Sequence, residues 1–260
     1  MAEKDMTFWE HLDELRKVLF RSALLLFAVM LVMFFLKDFM FQKIVFAPTD
    51  DSFPLYRLTN YLLEQINRPP LEPFSLKIIN IDLPAQFYVH LSTSFYFALV
   101  ICTPIIIYFI WTFVAPALYP KERRSAIKAF TLAGVFFYTG VIVGYYLLFP
   151  LALRFLGTYQ VSPDVANQIS LKSYISSFFT LILLLGIVFE LPTVMALLSK
   201  FGIIWKSTLK KYRRHAFVIL MILAALITPS DPFTMMAVGL PLYALYEISI
   251  MMCRNKPLEQ

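Results

Sequence analysis

Cysteine is nearly absent from this chain of 260 residues, which carries only Cys102 and Cys253. The first falls inside an apolar run and the second at a helix end on the inner side of the membrane, so neither a disulfide nor a metal cluster is expected. Charge is scarce as well. Asp, Glu, Lys and Arg supply 15% of the residues against 59% hydrophobic, and mean hydropathy is +0.70, too apolar for a soluble domain of this length. The sequence lacks a glycine-rich phosphate loop, and no Ser/His pair, paired Asp or HExxH string lies at membrane depth. No cofactor or metal and no enzymatic activity are therefore expected. Residues 1–17 hold five acids and have neither the basic start nor the small-residue cleavage site of a signal peptide, so the first apolar segment is expected to be retained.

What is abundant is long apolar sequence. An ionised side chain at mid-bilayer costs about 2.5–3.5 kcal/mol on insertion scales, so charge-poor windows are read as spans: about 18–36, 83–118, 129–153, 173–199, 215–230 and 232–252. The second is too long for one straight crossing, with Pro84, Pro104 and Pro116 to bend or end it. The expected fold is all-α, a single integral membrane domain over 1–260 with six transmembrane helices. Residues 1–21, 121–128, 200–214 and 254–260 hold 16 of the 23 Lys and Arg, which places them and both termini in the cytoplasm. The net charge of +6 orients the protein and meets anionic lipid; nothing in it points to nucleic acid. The fifth and sixth spans are short. Residues 215–230 make a helix of roughly 24 Å against a hydrocarbon core of about 30 Å, and "TPSDP" turns the pair into a hairpin, with Asp231 as N-cap before Pro232.

Local patterns add detail. "TFWE" is a capping box that starts an amphipathic lead-in, 7–17, lying near the inner surface. Its apolar stripe runs through Leu12, Leu15 and Leu19, with Glu10, Glu14, Lys17 and Arg21 opposite. "GVIVG", Gly140 to Gly144, permits close helix contact. The outer loop 37–82 is long for a connector and is expected to form a folded cap. His90 reads as a hydrogen-bonded structural histidine.

Five strings, in order, carry a resemblance: "HLDELRKVL" (11–19), "WTFVAPALYPKERR" (111–124), "FPLALRFL" (149–156), "FELP" (189–192) and "LITPSDPF" (226–233). Over roughly residues 7–253 the chain resembles the TatC family of the twin-arginine protein translocase. That resemblance implies a core receptor in the bacterial cytoplasmic (inner) membrane. Such a receptor binds Arg-Arg signal peptides of folded cargo at the cytoplasmic face and recruits the single-span subunits A and B into a multimeric complex. Export is driven by the proton-motive force.

Carried over string by string, the resemblance implies a signal-peptide surface of Glu14 and Glu122 with Arg16, Phe113, Leu118, Tyr119 and Arg124. Two guanidinium groups call for carboxylates, onto which arginine forks with paired charge-assisted bonds. Thr228, Asp231 and Met235 fall where the family contacts a partner span; the family often has glutamine where Met235 stands. Pro48 matches a proline of the first outer loop.

Glu190 interrupts a buried apolar span. A carboxylate facing lipid there would protonate or force a bilayer defect, and Pro192 removes a helical donor close by. A hydrated pocket on a concave polar membrane face is one reading, and an interhelical hydrogen bond within the chain is the other. The rival function is a proton-coupled secondary transporter using Glu190 and Asp231, against which stands the lack of repeat symmetry.

Overall fold

The computed structural model describes residues 8–73, 76–115, 120–162, 167–228 and 232–255, with backbone alone for Phe8 and for 120–126. It is helical almost throughout. Five helical stretches are long and apolar enough to cross a membrane by length and composition: Trp9–Phe35, Ala85–Val114, Ile127–Thr158, Leu171–Lys200 and Pro232–Met252. A sixth helix, Arg213–Ile227, has 15 residues and so a length of about 22 Å. Five long apolar helices and one short one thus stand where six spans are expected.

Residues 1–37 and 90–134 form one compact unit. Here α1 runs unbroken over Phe8–Phe35. The expected lead-in is therefore not a separate surface helix, because no proline or glycine lies between residues 8 and 35 to interrupt the helix. The capping Thr7 lies outside the described residues. Helix α3, Ala85–Val114, is likewise one element with Pro104 inside it; Pro84 precedes it, and Pro116 is outside the described residues. His90 Nε2 meets Phe34 O at 2.9 Å and its ring stacks on Phe34 at 4.0 Å, the structural role expected of it. Cys102, also in this unit, is a buried free thiol.

Residues 38–89 and 135–260 form the second unit. Helix α4, Pro120–Val143, ends in it and continues through a π-helical turn, Gly144–Leu148, into α5, Phe149–Thr158. The pattern from "GVIVG" is realised as backbone contact. A Cβ on Gly140 would sit 2.6 Å from Leu185 O, and one on Gly186 would sit 2.9 Å from the Phe137 ring, so α4 and α6 (Leu171–Val188) approach where neither carries a side chain.

The segment 37–82, expected as an outer loop, is folded. It holds a π-helical turn Phe39–Val45, a 3-10 turn Ala47–Thr49 and α2, Pro54–Gln65. Strand β1, Ile78–Ile79, pairs in parallel with β2, Ile169–Ser170. Three tyrosines fix this cap to the helices beneath by donating to main-chain carbonyls: Tyr56 to Pro48 O and Pro150 O, Tyr145 to Ile44 O, and Tyr174 to Val45 O. Arg154 of α5 adds a bond to Glu72 O, a 3.8 Å approach to Asp51 and a place over the Tyr56 ring. Buried backbone carbonyls need donors, and these side chains supply them.

The fourth span is broken. Helix α6 stops at Val188 and α7, Leu191–Lys200, begins after a turn at Phe189 and Glu190. Helix α8, Lys206–Lys211, leads into α9, Arg213–Ile227, and α10, Pro232–Met252, packs against both α7 and α9. Pro232 opens α10 as the sequence predicts, while Asp231, the expected N-cap, lies outside the described residues.

Candidate functional site

The expected receptor residues fall into two groups, each described in its own unit. In the first, α1 carries Glu14 and Arg16 about two turns from its start, and α3 carries Phe113 at its end. His11 joins them. Its ring stacks on Phe113 with centroids 4.3 Å apart and planes 24° from parallel. The "HLDELR" and "WTFVAP" strings, about a hundred residues apart in the chain, are thereby in contact. Sequence reasoning does not single out His11 as a site residue. The only signal for it is its place at the head of "HLDELRKVL".

Glu14 lies on the exposed face beside Lys17, whose Nζ donates to Glu14 Oε1 at 2.6 Å. This is an i,i+3 pair on a wet surface, worth about 0–1 kcal/mol, and thus easily exchanged for a stronger partner. Arg16 is exposed and Phe113 half-buried. Leu118 and Tyr119 lie outside the described residues, and Glu122 and Arg124 sit on the first turns of α4 with only their backbone described.

In the second unit Glu190 occupies the break between α6 and α7. Its N–H bonds to Ile187 O at 3.0 Å, and its carbonyl accepts from Val194 N at 3.0 Å. The side chain is another matter. Glu190 Oε1 is buried without a hydrogen-bond partner, as is Thr193 Oγ1 three residues on. The two groups lie near enough to influence one another without hydrogen-bonding geometry. An interhelical bond from this carboxylate is absent among the described residues. A buried polar atom left without a partner costs roughly 1–3 kcal/mol. Thr193 is a residue that sequence reasoning misses; its position one turn after Glu190 is the available signal.

Thr228 is buried, donates to Ala224 O at 3.0 Å and lines a cavity of about 420 Å³ with Phe149, Ser173, Ser177 and Thr180. Met235 is half-buried on the first turn of α10.

Residues 10–241 match the family described as Sec-independent protein translocase protein (TatC). The chain belongs to the TatC family. Among its relatives, the TatC protein of Blattabacterium sp. subsp. Periplaneta americana (strain BPLAN) is 35% identical over 252 residues, covering 95% of each chain. That of Escherichia coli (strain K12) is 30% identical over 249 residues, covering 94% of this chain and 86% of the relative. A crystal structure described as the twin arginine translocase receptor TatC aligns with a TM-score of 0.71 at 29% identity, over 94% of this chain and 97% of the other. A second, in DDM, gives a TM-score of 0.74. The protein is accordingly a multi-pass TatC-fold membrane protein, a receptor component of twin-arginine protein transport and not an enzyme. The proton-coupled carrier is set aside by the same match.

Proposed function

We propose that this TatC-family chain works as a single integral membrane domain in a bacterial cytoplasmic membrane, with both termini inside, and docks the arginine pair of twin-arginine signal peptides on Glu14 and Glu122. Arg16, Phe113, Leu118, Tyr119 and Arg124 shape that surface. Thr228, Asp231 and Met235 meet the single-span subunits A and B, and Glu190 forms a hydrated intramembrane polar site. The observation that carries the docking reading is the stack of His11 on Phe113, since it supports a shared surface for the two strings that supply the carboxylates. A guanidinium pair arriving there exchanges a weak surface pair, Glu14 with Lys17, for bidentate charge-assisted bonds of about 1.5–3 kcal/mol each.

The test uses purified protein and two peptides, one with Arg-Arg and one with Lys-Lys. Wild type is expected to bind only the first, and Glu14→Ala/Glu122→Ala to bind neither while remaining folded and inserted. Unchanged affinity in the double variant would remove both acids from the docking surface.

A further inference from the structure

At one end of the second unit, α7, α9 and α10 are tied together and each meets a cation there. Helix α7 closes on Lys200, α9 opens on Arg213, and Arg254 follows α10. The ties are explicit. Lys206 N donates to Arg254 O at 3.0 Å, Arg254 N donates to Ser199 Oγ at 2.9 Å, and Tyr246 OH donates to Leu209 O at 2.9 Å. Helix α8 is thus fixed against α10, with Leu209 buried beneath it.

The loop leading into it is equally defined. Gly202 sits at φ 75, Ile203 N bonds Leu198 O, and Gly202 N bonds Ser199 O. This is the paired-bond stop that a left-handed glycine gives a helix. It turns Phe201 and Ile203 outward, 51% and 66% exposed.

The charge on this platform is one-sided. Residues 200–215 hold six Lys and Arg and no acid, and Glu247 pairs with Arg213 at 2.7 Å. Lys210, Lys211 and Arg214 are exposed and in no ion pair among the described residues. We infer that this platform binds the phosphate headgroups of anionic phospholipids, with Lys210, Lys211 and Arg214 as the cations and Phe201, Ile203 and Tyr212 entering the headgroup layer. Lipid fits better than an acidic protein segment. The cations are interleaved with exposed apolar side chains at the ends of membrane helices, the pattern of an interfacial surface, whereas an acidic peptide would leave those side chains in water. The end of α8 and the start of α9 hold these cations within five residues of chain, and a negative headgroup layer attracts each of them.

The inference goes beyond the docking reading and does not depend on it. A fluorophore on Ser207→Cys, with Cys102 and Cys253 replaced, reports contact with nitroxide-labelled lipid in vesicles of phosphatidylcholine and phosphatidylglycerol. Quenching by labelled phosphatidylglycerol is expected to exceed that by labelled phosphatidylcholine about threefold at low salt and to fall toward parity in about 0.5 M salt. Lys210→Gln/Lys211→Gln/Arg214→Gln should reach parity without added salt and keep its circular dichroism. Parity in the wild type at low salt overturns the inference and leaves the platform to an acidic protein segment. A preference that survives the triple substitution overturns the assignment to these residues. Both leaflets have one composition, so an inverted topology leaves this readout unchanged; it would appear instead as labelling of position 207 by an impermeant thiol reagent outside intact cells.

Discussion

His11 lies flat on Phe113, centroids 4.3 Å apart, and so joins the first turns of α1 to the last turn of α3. An aromatic pair of this kind contributes about 0.5–1.5 kcal/mol beyond its area, enough to decide where Glu14 stands. His11→Ala is expected to weaken binding of an Arg-Arg peptide about three- to tenfold, with helix content and insertion intact. His11→Phe should restore it. Titration calorimetry in detergent separates the cases, and a wild-type affinity in His11→Ala would rule out a positioning role.

The contact of α4 with α6 sets a second expectation. With Leu185 O 2.6 Å from the place a Cβ on Gly140 would occupy, any side chain must push the two backbones apart. Overpacking of this kind costs about 1–3 kcal/mol. Gly140→Val should therefore lower the thermal midpoint markedly, and Gly140→Ala to a lesser degree. Gly134, where an added Cβ meets nothing within 4 Å, is the control, and Gly134→Ala should melt as the wild type does. Equal midpoints for Gly134→Ala and Gly140→Val would contradict the close approach.

Tyr56 holds the cap formed within 37–82 by donating to two carbonyls, Pro48 O at 3.1 Å and Pro150 O at 3.0 Å. Tyr56→Phe leaves both acceptors buried and should cost about 1–3 kcal/mol. Burial pushes the phenol above its ordinary value of 10, with the nearby Arg154 opposing the rise. A raised folded value means that this contribution is complete below about pH 10 and declines as the pH climbs above it, because the unfolded chain ionises first. The midpoint of the wild type should fall above that pH more steeply than that of Tyr56→Phe. Parallel curves would show that this phenol plays no part.

Much of the architecture was legible because it follows from local rules. Charge-poor windows fall on the five long apolar helices described, the glycines of "GVIVG" gave a close contact, and His90 found the structural hydrogen bond expected of it. What differs is where one element ends and the next begins. The lead-in merged with the first span because nothing in Phe8–Phe35 breaks a helix, and of the prolines that could bend or end the second span, Pro104 lies inside one helix. The candidate site was legible only in part. Strings name residues along the chain but not across it, so His11 against Phe113 and Thr193 beside Glu190 emerge only in the folded protein. The cap was expected, but not the means of holding it, since a tyrosine that donates to a carbonyl over a hundred residues away, as Tyr174 does to Val45, leaves no periodic trace.

Glu190 yields the prediction with the most at stake. Its Oε1 and the neighbouring Thr193 Oγ1 are both buried and unpartnered, in a turn where Pro192 withholds a backbone donor as well. A buried polar atom without a partner lowers stability, so an apolar replacement of similar size should stabilise the isolated receptor, by roughly 1–3 kcal/mol. If the carboxylate is kept to meet a polar group of a partner span or passing cargo, transport must move the other way. Glu190→Leu is expected to raise the thermal midpoint and to abolish export, and Glu190→Ala to insert normally and export poorly. Glu190→Gln, which preserves hydrogen bonding and loses the charge, should export better than Glu190→Ala. Midpoints in detergent and export of a folded reporter in cells measure the two quantities independently. A Glu190→Leu protein that gained stability and exported at the wild-type rate would show that the carboxylate has no function in transport.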